Sequence, residues 1–177
     1  IELASVLRDA GVNVPKIYHN AKEHGALLVE DMGSLPLWKF TLNQLDAAAE
    51  KEAQQIGDDY LDKLYRSALE QQKLLSACYE PTNCKALNRY LGFEQYRAEA
   101  ERFITFYLEP NSVKKAQRLA ISEALDYLCE CVCAHQRTLI HRDFMPWNLF
   151  VREQQILVLD FQDCLQGSYV YDLVSLV

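Results

Sequence analysis

One stretch in the second half of the sequence constrains the fold more than any other. Residues 141–148 read H-R-D-F-M-P-W-N and run directly into the apolar segment 149–151. After a turn, the hydrophobic segment 156–159 ends in Asp160. This order places one carboxylate at the mouth of a loop, an amide five residues later and a second carboxylate at the end of a strand. Because Mg²⁺ prefers such oxygen ligands, the stretch predicts a site that binds this ion and orients a hydroxyl group.

The spacing H-R-D-x-x-x-x-N before a strand that ends in Asp resembles the catalytic loop and metal aspartate of kinase-fold phosphotransferases. This resemblance implies that Asp143 is the catalytic base and that Asn148 and Asp160 bind Mg²⁺. His141 and Asp172 are then expected to brace the loop. An isolated H-x-D often arises by chance, and an Asp after a strand is often a turn residue. Here, however, the three elements occur together and in the expected order.

The residues after Asp160 favour a small-molecule substrate. Only eleven residues separate it from Asp172, too few for the activation segment of a protein kinase, and Gln162 replaces the glycine of D-F-G. With L-D-F-Q-D at 159–163 and Y-D-L-V-S-L at 171–176, the chain resembles the aminoglycoside phosphotransferase and choline kinase superfamily. Together with H-R-D-F-M-P, these motifs are most similar to its bacterial branch of anomeric sugar kinases, which act on N-acetylmuramate and N-acetylglucosamine.

The resemblance implies an α+β, protein-kinase-like fold with a mostly helical large lobe and a short catalytic β-hairpin. Residues 1–33 would be the remnant of the nucleotide-binding small lobe and hinge, and residues 34–177 the catalytic lobe. Such a kinase needs a glycine-rich loop and a strand lysine to hold the phosphates, and nothing before Glu30 offers either. We therefore expect a piece of a longer protein, without most of the small lobe and the end of the large lobe. By itself it should not turn over ATP efficiently.

Hydrophobic periodicity predicts helices over most of the chain. Helices are expected at residues 2–10, 42–56, 59–79, 93–108 and from about 113 to 136, with strands at 14–19 and 26–29. Thr41 and Asp58 are plausible N-caps, as is Asn111 or Ser112 for the last helix. Because that last helix has an apolar period of 3.6 residues, we expect it to be the buried central helix of the large lobe.

The resemblance also predicts the nucleotide contacts. The segment that follows the second strand would be the hinge, with the backbones of Glu30 and Met32 against adenine. A plain strand-to-helix loop is the alternative for these residues. Phe150 and Leu159 match the apolar positions that form the floor under adenine in the resembled family, although either could belong to the core. ATP and Mg²⁺ are the expected cofactors.

Glu99 is the candidate for acceptor binding. It begins an E-x-x-x-F pattern, followed by Phe106 and Tyr107, that resembles the same stretch of the anomeric sugar kinases. Carboxylates and aromatic rings on one helix can bind a sugar through hydroxyl hydrogen bonds and ring stacking. Core packing explains the aromatic residues equally well.

Composition narrows the partners and the compartment. The net charge of −7 and pI near 5.1 argue against nucleic acid, which requires clustered Lys and Arg. No apolar run approaches the roughly 18 residues of a membrane span, and no secretory leader is evident. Three of the six cysteines form C-x-C-x-C at 129–133, which suits core or groove residues better than zinc ligands. We expect reduced thiols in the cytoplasm.

Several functions remain open at this point. An aminoglycoside or other antibiotic kinase would use the same catalytic residues, and an acidic cleft would favour its cationic substrates. Choline- or homoserine-type kinases are disfavoured because the sequence has no dense aromatic cage for a quaternary ammonium. A non-catalytic, kinase-like binding module is the alternative from a different class. The nucleotide and a small molecule are the expected partners in the catalytic cases.

Overall fold

The structure is a computed structural model that describes residues 1–40, 51–78 and 84–177. The predicted cap at Thr41, the start of the predicted helix at 42–56, and the predicted break at 81–83 lie outside the described residues. Helical residues 37–40 precede the first gap. The elements in chain order are α1 (Glu2–Asp9), β1 (Ile17–Ala21), β2 (Ala26–Val29), α2 (Lys51–Ala77), α3 (Phe93–Phe103), α4 (Lys115–Cys133), β3 (Arg137–Ile140), β4 (Leu149–Arg152), β5 (Gln155–Val158), β6 (Leu165–Ser168) and α5 (Val170–Leu176).

The N-terminal helix and hairpin form close to where the sequence predicts them. Helix α1 is followed by Gly11 in the left-handed region, with φ of 87°. Strands β1 and β2 pair antiparallel from Ile17 opposite Val29 to Ala21 opposite Ala26. The prediction that the first strand begins at residue 14 was wrong, because the preceding residues pack into the core instead of the hairpin.

Helix α2 is a single element across the position where two helices were expected. The predicted N-cap at Asp58 is wrong, since this residue lies within the continuous helix. The predicted core-facing stripe is confirmed, because Leu64, Ala68 and Leu75 are fully buried. Burial of this stripe stabilises the continuous helix. This contribution outweighs the local preference of Asp58 for an N-cap position.

The catalytic hairpin predicted from the sequence is strands β4 and β5. They pair antiparallel from Leu149 opposite Val158 to Arg152 opposite Gln155. The two intervening residues, 153 and 154, both have positive φ, of 50° and 66°. Positive φ at both central positions is the backbone of a two-residue type I′ turn, whose twist matches that of the strands.

Strands β3 and β6 form a separate antiparallel pair. The loop before β4 begins directly after β3. Gly167 of β6 lies opposite Thr138. A Cβ atom on Gly167 would collide with the side chain of Ile140 and lie 3.4 Å from the hydroxyl of Tyr96. Glycine therefore allows β6 to approach these two side chains closely.

The prediction that residues 113–136 form a buried central helix was wrong. Helix α4 begins at Lys115, later than the caps proposed at Asn111 or Ser112. Leu119, Tyr127 and Leu128 are exposed, and Cys129 is the residue of this helix that is buried. One side of α4 packs on α3 and β6, so its remaining apolar side chains face outward.

One hydrophobic cluster joins the N-terminal residues to the hairpin of β4 and β5. Its buried members include Leu7, Val12, Phe144, Leu149 and Val158. The cluster thus contains residues from both sides of position 33, and the proposed division into lobes stays a prediction. Within the described ranges, no helix combines the length and apolar character needed to cross a membrane.

Candidate functional site

The loop between β3 and β4 is closed by its own hydrogen bonds. The carbonyl of Asp143 accepts from the backbone N–H of Met145 at 2.8 Å and from Nδ2 of Asn148 at 3.0 Å. The backbone N–H of Asn148 donates to the carbonyl of Met145 at 2.9 Å. Because Nδ2 is used within the loop, the amide oxygen of Asn148 is the atom left to bind a ligand.

His141 links this loop to the strand that leads to Asp160. Its Nε2 lies 2.8 Å from the carbonyl of Leu159, and a carbonyl only accepts, so Nε2 carries the proton. The side chain is fully buried, and burial lowers the pKa of His141 despite the nearby charges of Asp143 and Asp160. The imidazole is therefore neutral near pH 7. The N–H of Leu159 in turn donates to the carbonyl of Asn148 at 2.9 Å.

Asp172 accepts hydrogen bonds from the backbone at the start of the loop. Its fully buried carboxylate accepts from the backbone N–H of His141 at 2.7 Å and from that of Arg142 at 3.0 Å. Burial raises the pKa of Asp172 to about 6, although both hydrogen bonds lower it. Arg142 has φ of 79°, a conformation that costs a non-glycine residue free energy. The two hydrogen bonds to Asp172 stabilise this strained backbone.

The two carboxylates proposed for catalysis and metal binding differ in their surroundings. Asp143 is half-buried, and no residue in the described ranges donates a hydrogen bond to its side chain. Asp160 is exposed and has φ of 60°. Its Oδ1 accepts from Nε2 of Gln162 at 2.7 Å. Gln162, which stands in place of the D-F-G glycine, thus orients Asp160, a contact that the sequence did not predict.

The protein oxygens at this site suit a magnesium ion that arrives with a nucleotide. Mg²⁺ is usually bound by one or two carboxylates together with phosphates and water, and the predicted ligands Asn148 and Asp160 would offer one amide and one carboxylate. In residues 1–40, 51–78 and 84–177, no three His, Cys, Asp or Glu side chains cluster closely enough to hold a metal. A complete cage made of these side chains is therefore not formed in the described part of the chain. Cys129, Cys131 and Cys133 are free thiols.

The predicted hinge is tied to both neighbouring segments. The side chain of Glu30 accepts from the N–H of Lys16 at 3.1 Å and pairs with Arg152 at 3.1 Å. The first of these hydrogen bonds is the main reason that the pKa of Glu30 is lowered. The N–H of Glu30 donates to the carbonyl of Lys16 at 2.8 Å. Within the described ranges, no group accepts from the N–H of Met32, whose side chain is buried.

Phe150 lies on β4, and Leu159 directly follows β5. Phe150 is opposite Leu157 in the sheet and also forms a bridge with Pro36, which follows the predicted hinge. Both Phe150 and Leu159 are half-buried, so each retains some surface that a ligand could contact. Their role under adenine stays a prediction.

Glu99 is half-buried on α3, three residues after Tyr96, whose ring centroid lies 6.4 Å from that of Tyr171. Burial raises the pKa of Tyr171, and the negative charges of Glu99 and Asp143 raise it further. Tyr171 belongs to the Y-D-L motif, but the motif predicts no role for this side chain. A core role does not explain the aromatic residues that follow Glu99, since Phe106 and Tyr107 are exposed.

A comparison with protein-family models identifies the family of the chain. A model of the phosphotransferase enzyme family matches residues 1–177. The chain therefore belongs to that family, as its catalytic-loop motif predicted.

Named relatives agree with the predicted branch. The chain is 31% identical over 179 aligned positions to an N-acetylmuramate/N-acetylglucosamine kinase of Pseudomonas aeruginosa, covering 99% of this chain and 47% of that protein. A protein of the same name from Pseudomonas putida is 29% identical with the same coverage. One from Neisseria meningitidis is 29% identical and covers 94% of this chain and 46% of its own length. The chain thus spans about half the length of these relatives.

Solved structures support the fold. The ADP-bound aminoglycoside phosphotransferase APH(2'')-Ib superposes with a TM-score of 0.56 at 16% identity, covering 98% of this chain and 56% of that one. The gentamicin complex of APH(2'')-IIa gives a TM-score of 0.57 at 15% identity with the same coverage. At these identities the likeness concerns the fold alone, and it confirms the predicted kinase-like α+β class.

Proposed function

We propose that this protein transfers the γ-phosphoryl group of ATP to a hydroxyl group of an amino sugar such as N-acetylmuramate or N-acetylglucosamine. The strongest support is the set of hydrogen bonds that joins Asp143, Asn148, His141 and Leu159 at one end of the β-hairpin. The sugar kinases that are about 30% identical to the chain support the acceptor class.

Asp143 is proposed as the base. Its carboxylate has no protein donor in the described ranges, so it is available to orient the acceptor hydroxyl and accept its proton. The hydroxyl oxygen then bonds to the γ-phosphorus as the bond from phosphorus to the bridging oxygen breaks, and ADP leaves. A positioned base of this kind contributes about 10² to 10⁴ in rate.

Asn148 and Asp160 are proposed to hold Mg²⁺, which when bound neutralises phosphate charge. The amide oxygen of Asn148 is available because Nδ2 is bonded to the loop. Gln162 orients the carboxylate of Asp160. His141 and Asp172 are proposed to brace the loop so that these oxygens stay in position.

The nucleotide is proposed to lie along the hinge. The carbonyl of Glu30 and the N–H of Met32 would face the edge of adenine, above Phe150 and Leu159. Support comes from the N–H of Met32, which has no acceptor in the described ranges. Glu99 is proposed to contact the acceptor, because it begins the E-x-x-x-F pattern that resembles the anomeric sugar kinases and is half-buried on α3.

In this proposal residues 1–33 belong to the nucleotide-binding lobe and hinge, and residues 34–177 belong to the catalytic lobe of a cytoplasmic enzyme. The other members of the same reaction class differ in the acceptor that they phosphorylate. A direct comparison of acceptors is therefore the informative experiment.

The experiment uses the full-length protein with Mg²⁺ and ATP, and measures ADP release with N-acetylmuramate, N-acetylglucosamine and aminoglycosides. We expect turnover of the sugars, a loss of at least about 10²-fold in Asp143→Asn, and an unchanged unfolding transition. Glu123→Gln, at an exposed position of α4, is the matched control and should retain activity. Turnover of aminoglycosides alone would show that the acceptor is an aminoglycoside and not one of these amino sugars. Nucleotide binding without any turnover would indicate a non-catalytic module.

A further inference from the structure

The two tryptophans of the chain meet beside the catalytic loop. Trp147 directly precedes Asn148, and its ring centroid lies 4.2 Å from that of Trp38, with the planes inclined at 42°. The backbone N–H of Trp38 donates to the carbonyl of Pro146 at 3.2 Å. The segment after the predicted hinge is thus attached to the loop by one hydrogen bond and one ring contact.

Trp147 is directed outward, although the same loop has an aromatic residue in the core. Phe144 is fully buried and its ring meets that of His141 edge-on. Trp147 is 54% exposed, so much of the indole surface that is not against Trp38 faces solvent. Packing explains Phe144, whereas Trp147 leaves a large aromatic surface open on a loop that is otherwise closed by hydrogen bonds.

The open indole is carried by the residue that directly precedes a proposed metal ligand. Neighbouring Cα atoms are about 3.8 Å apart, and the residue after Trp147 is Asn148, whose amide lies 3.0 Å from the carbonyl of Asp143. Trp147 thus belongs to the same loop as Asp143 and is the chain neighbour of a proposed metal ligand. Aromatic faces bind the C–H face of a sugar ring and leave the hydroxyls at its edge free for polar groups.

The positively charged side chain of Lys39 lies at the edge of the Trp38–Trp147 pair, which we call its rim. The ammonium of Lys39 is 5.6 Å from the ring centroid of Trp38, which is within the range of a cation–π contact. Repulsion from Lys39 disfavours a polycationic acceptor at this position, whereas an acceptor with a carboxylate is attracted. The charge of Lys39 thus distinguishes acceptors that carry a carboxylate from polycationic acceptors. The proposed catalytic residues alone do not distinguish these two classes.

We propose that Trp147, supported by Trp38, is the platform on which the ring of the acceptor sugar lies while a hydroxyl faces Asp143, and that Lys39 at its rim favours an acceptor that carries a carboxylate. The platform rests on the proposed function and adds to it a residue that determines acceptor specificity.

The first experiment compares Trp147→Ala and Trp147→Phe in the full-length protein with Tyr127→Ala as the control, since Tyr127 is an exposed aromatic residue of α4. We expect Trp147→Ala to raise the KM for the sugar roughly tenfold with the KM for ATP unchanged. The Phe variant should recover most of the affinity, and the control should match the wild type. An unchanged sugar KM in Trp147→Ala would overturn the platform, as would an equal rise in the KM for ATP.

The second experiment tests the rim. Lys39→Ala should lower kcat/KM for N-acetylmuramate, which carries a carboxylate, several-fold more than for N-acetylglucosamine, which does not. An equal effect on both would remove Lys39 from the proposal.

Failure of the proposed function would be recognised separately. If the wild type phosphorylates no sugar, sugar binding is measured calorimetrically with and without a non-hydrolysable ATP analogue. Binding that weakens in Trp147→Ala but not in Tyr127→Ala would support the platform without the reaction. Absence of sugar binding to the wild type would overturn it.

Discussion

The side-chain amide of Asn148 donates to the backbone carbonyl of Asp143 across 3.0 Å. This contact fixes the orientation of the amide, because Nδ2 must face the loop and Oδ1 must face away. It also ties the proposed metal ligand to the backbone of the proposed base. A change in one residue should therefore affect the position of the other.

Asn148→Ala tests this coupling. We expect kcat to fall by at least about 10²-fold, since both an oxygen ligand and the hydrogen bond to the carbonyl of Asp143 are lost. The free energy of unfolding should fall by only about 1 kcal/mol, the usual value of one hydrogen bond. Steady-state kinetics over a Mg²⁺ titration and urea denaturation check these two results. In Asn148→Asp, which keeps oxygen ligands but loses the donor, an activity equal to that of the wild type would show that the hydrogen bond has no role.

Asp160→Asn tests the charge on the second proposed metal ligand. Asparagine tolerates the left-handed backbone observed here, with φ of 60°, and its oxygen can still accept from Gln162. We expect the affinity for ATP in the presence of Mg²⁺ to fall roughly tenfold or more, while the affinity for ATP without metal is unchanged or improved. Isothermal titration with and without Mg²⁺ measures both. An unchanged affinity in the presence of Mg²⁺ would contradict the assignment of Asp160.

Asp172 should make stability depend on pH in a defined window. Burial raises its pKa from 3.8 to about 6, so the folded state binds this proton more tightly than the unfolded state does. The resulting stabilisation is complete below about pH 4 and is lost as the pH rises through 6. The difference between the two pKa values corresponds to about 3 kcal/mol.

The measurement compares the unfolding free energies of the wild type and Asp172→Asn at pH 4 and pH 7.5. Asparagine has one side-chain oxygen for the two N–H groups of His141 and Arg142, so the variant should be destabilised by about 1–3 kcal/mol from the lost acceptor. Its disadvantage relative to the wild type should be about 3 kcal/mol smaller at pH 7.5 than at pH 4. Glu123→Gln controls for the change in net charge. A disadvantage that is the same at both pH values would exclude Asp172 as the titrating group.

Local patterns predicted the elements of the site well. The hairpin of β4 and β5 follows from two short apolar runs on either side of a turn, and the buried stripe of α2 follows from helical spacing. Such patterns report which face of an element is apolar, but not whether another element covers it. For this reason the apolar period of α4 predicts core positions for its residues, although Leu119 and Leu128 are exposed.

Several contacts that organise the site join residues far apart in sequence, and the sequence did not reveal these long-range contacts. The bond from the N–H of His141 to Asp172 spans 31 residues, and no local periodicity marks such a pair. The contact of Trp38 with Trp147 is another example. The motif predicted which residues are chemically important, whereas their orientation depends on packing between distant segments.

Gly167 offers a test of that packing close to the loop. A Cβ atom at this position would collide with the side chain of Ile140, whose Cδ1 is its nearest neighbour, so Gly167→Ala should lower the free energy of unfolding by about 1–3 kcal/mol. Ile140→Val removes the Cδ1 atom and by itself should cost about 0.5–1.5 kcal/mol. If the collision is the cause, the double variant should be more stable than the sum of the two single effects predicts, by about 1 kcal/mol. Urea denaturation of the four proteins completes the cycle, and strictly additive effects would show that the two side chains do not interact.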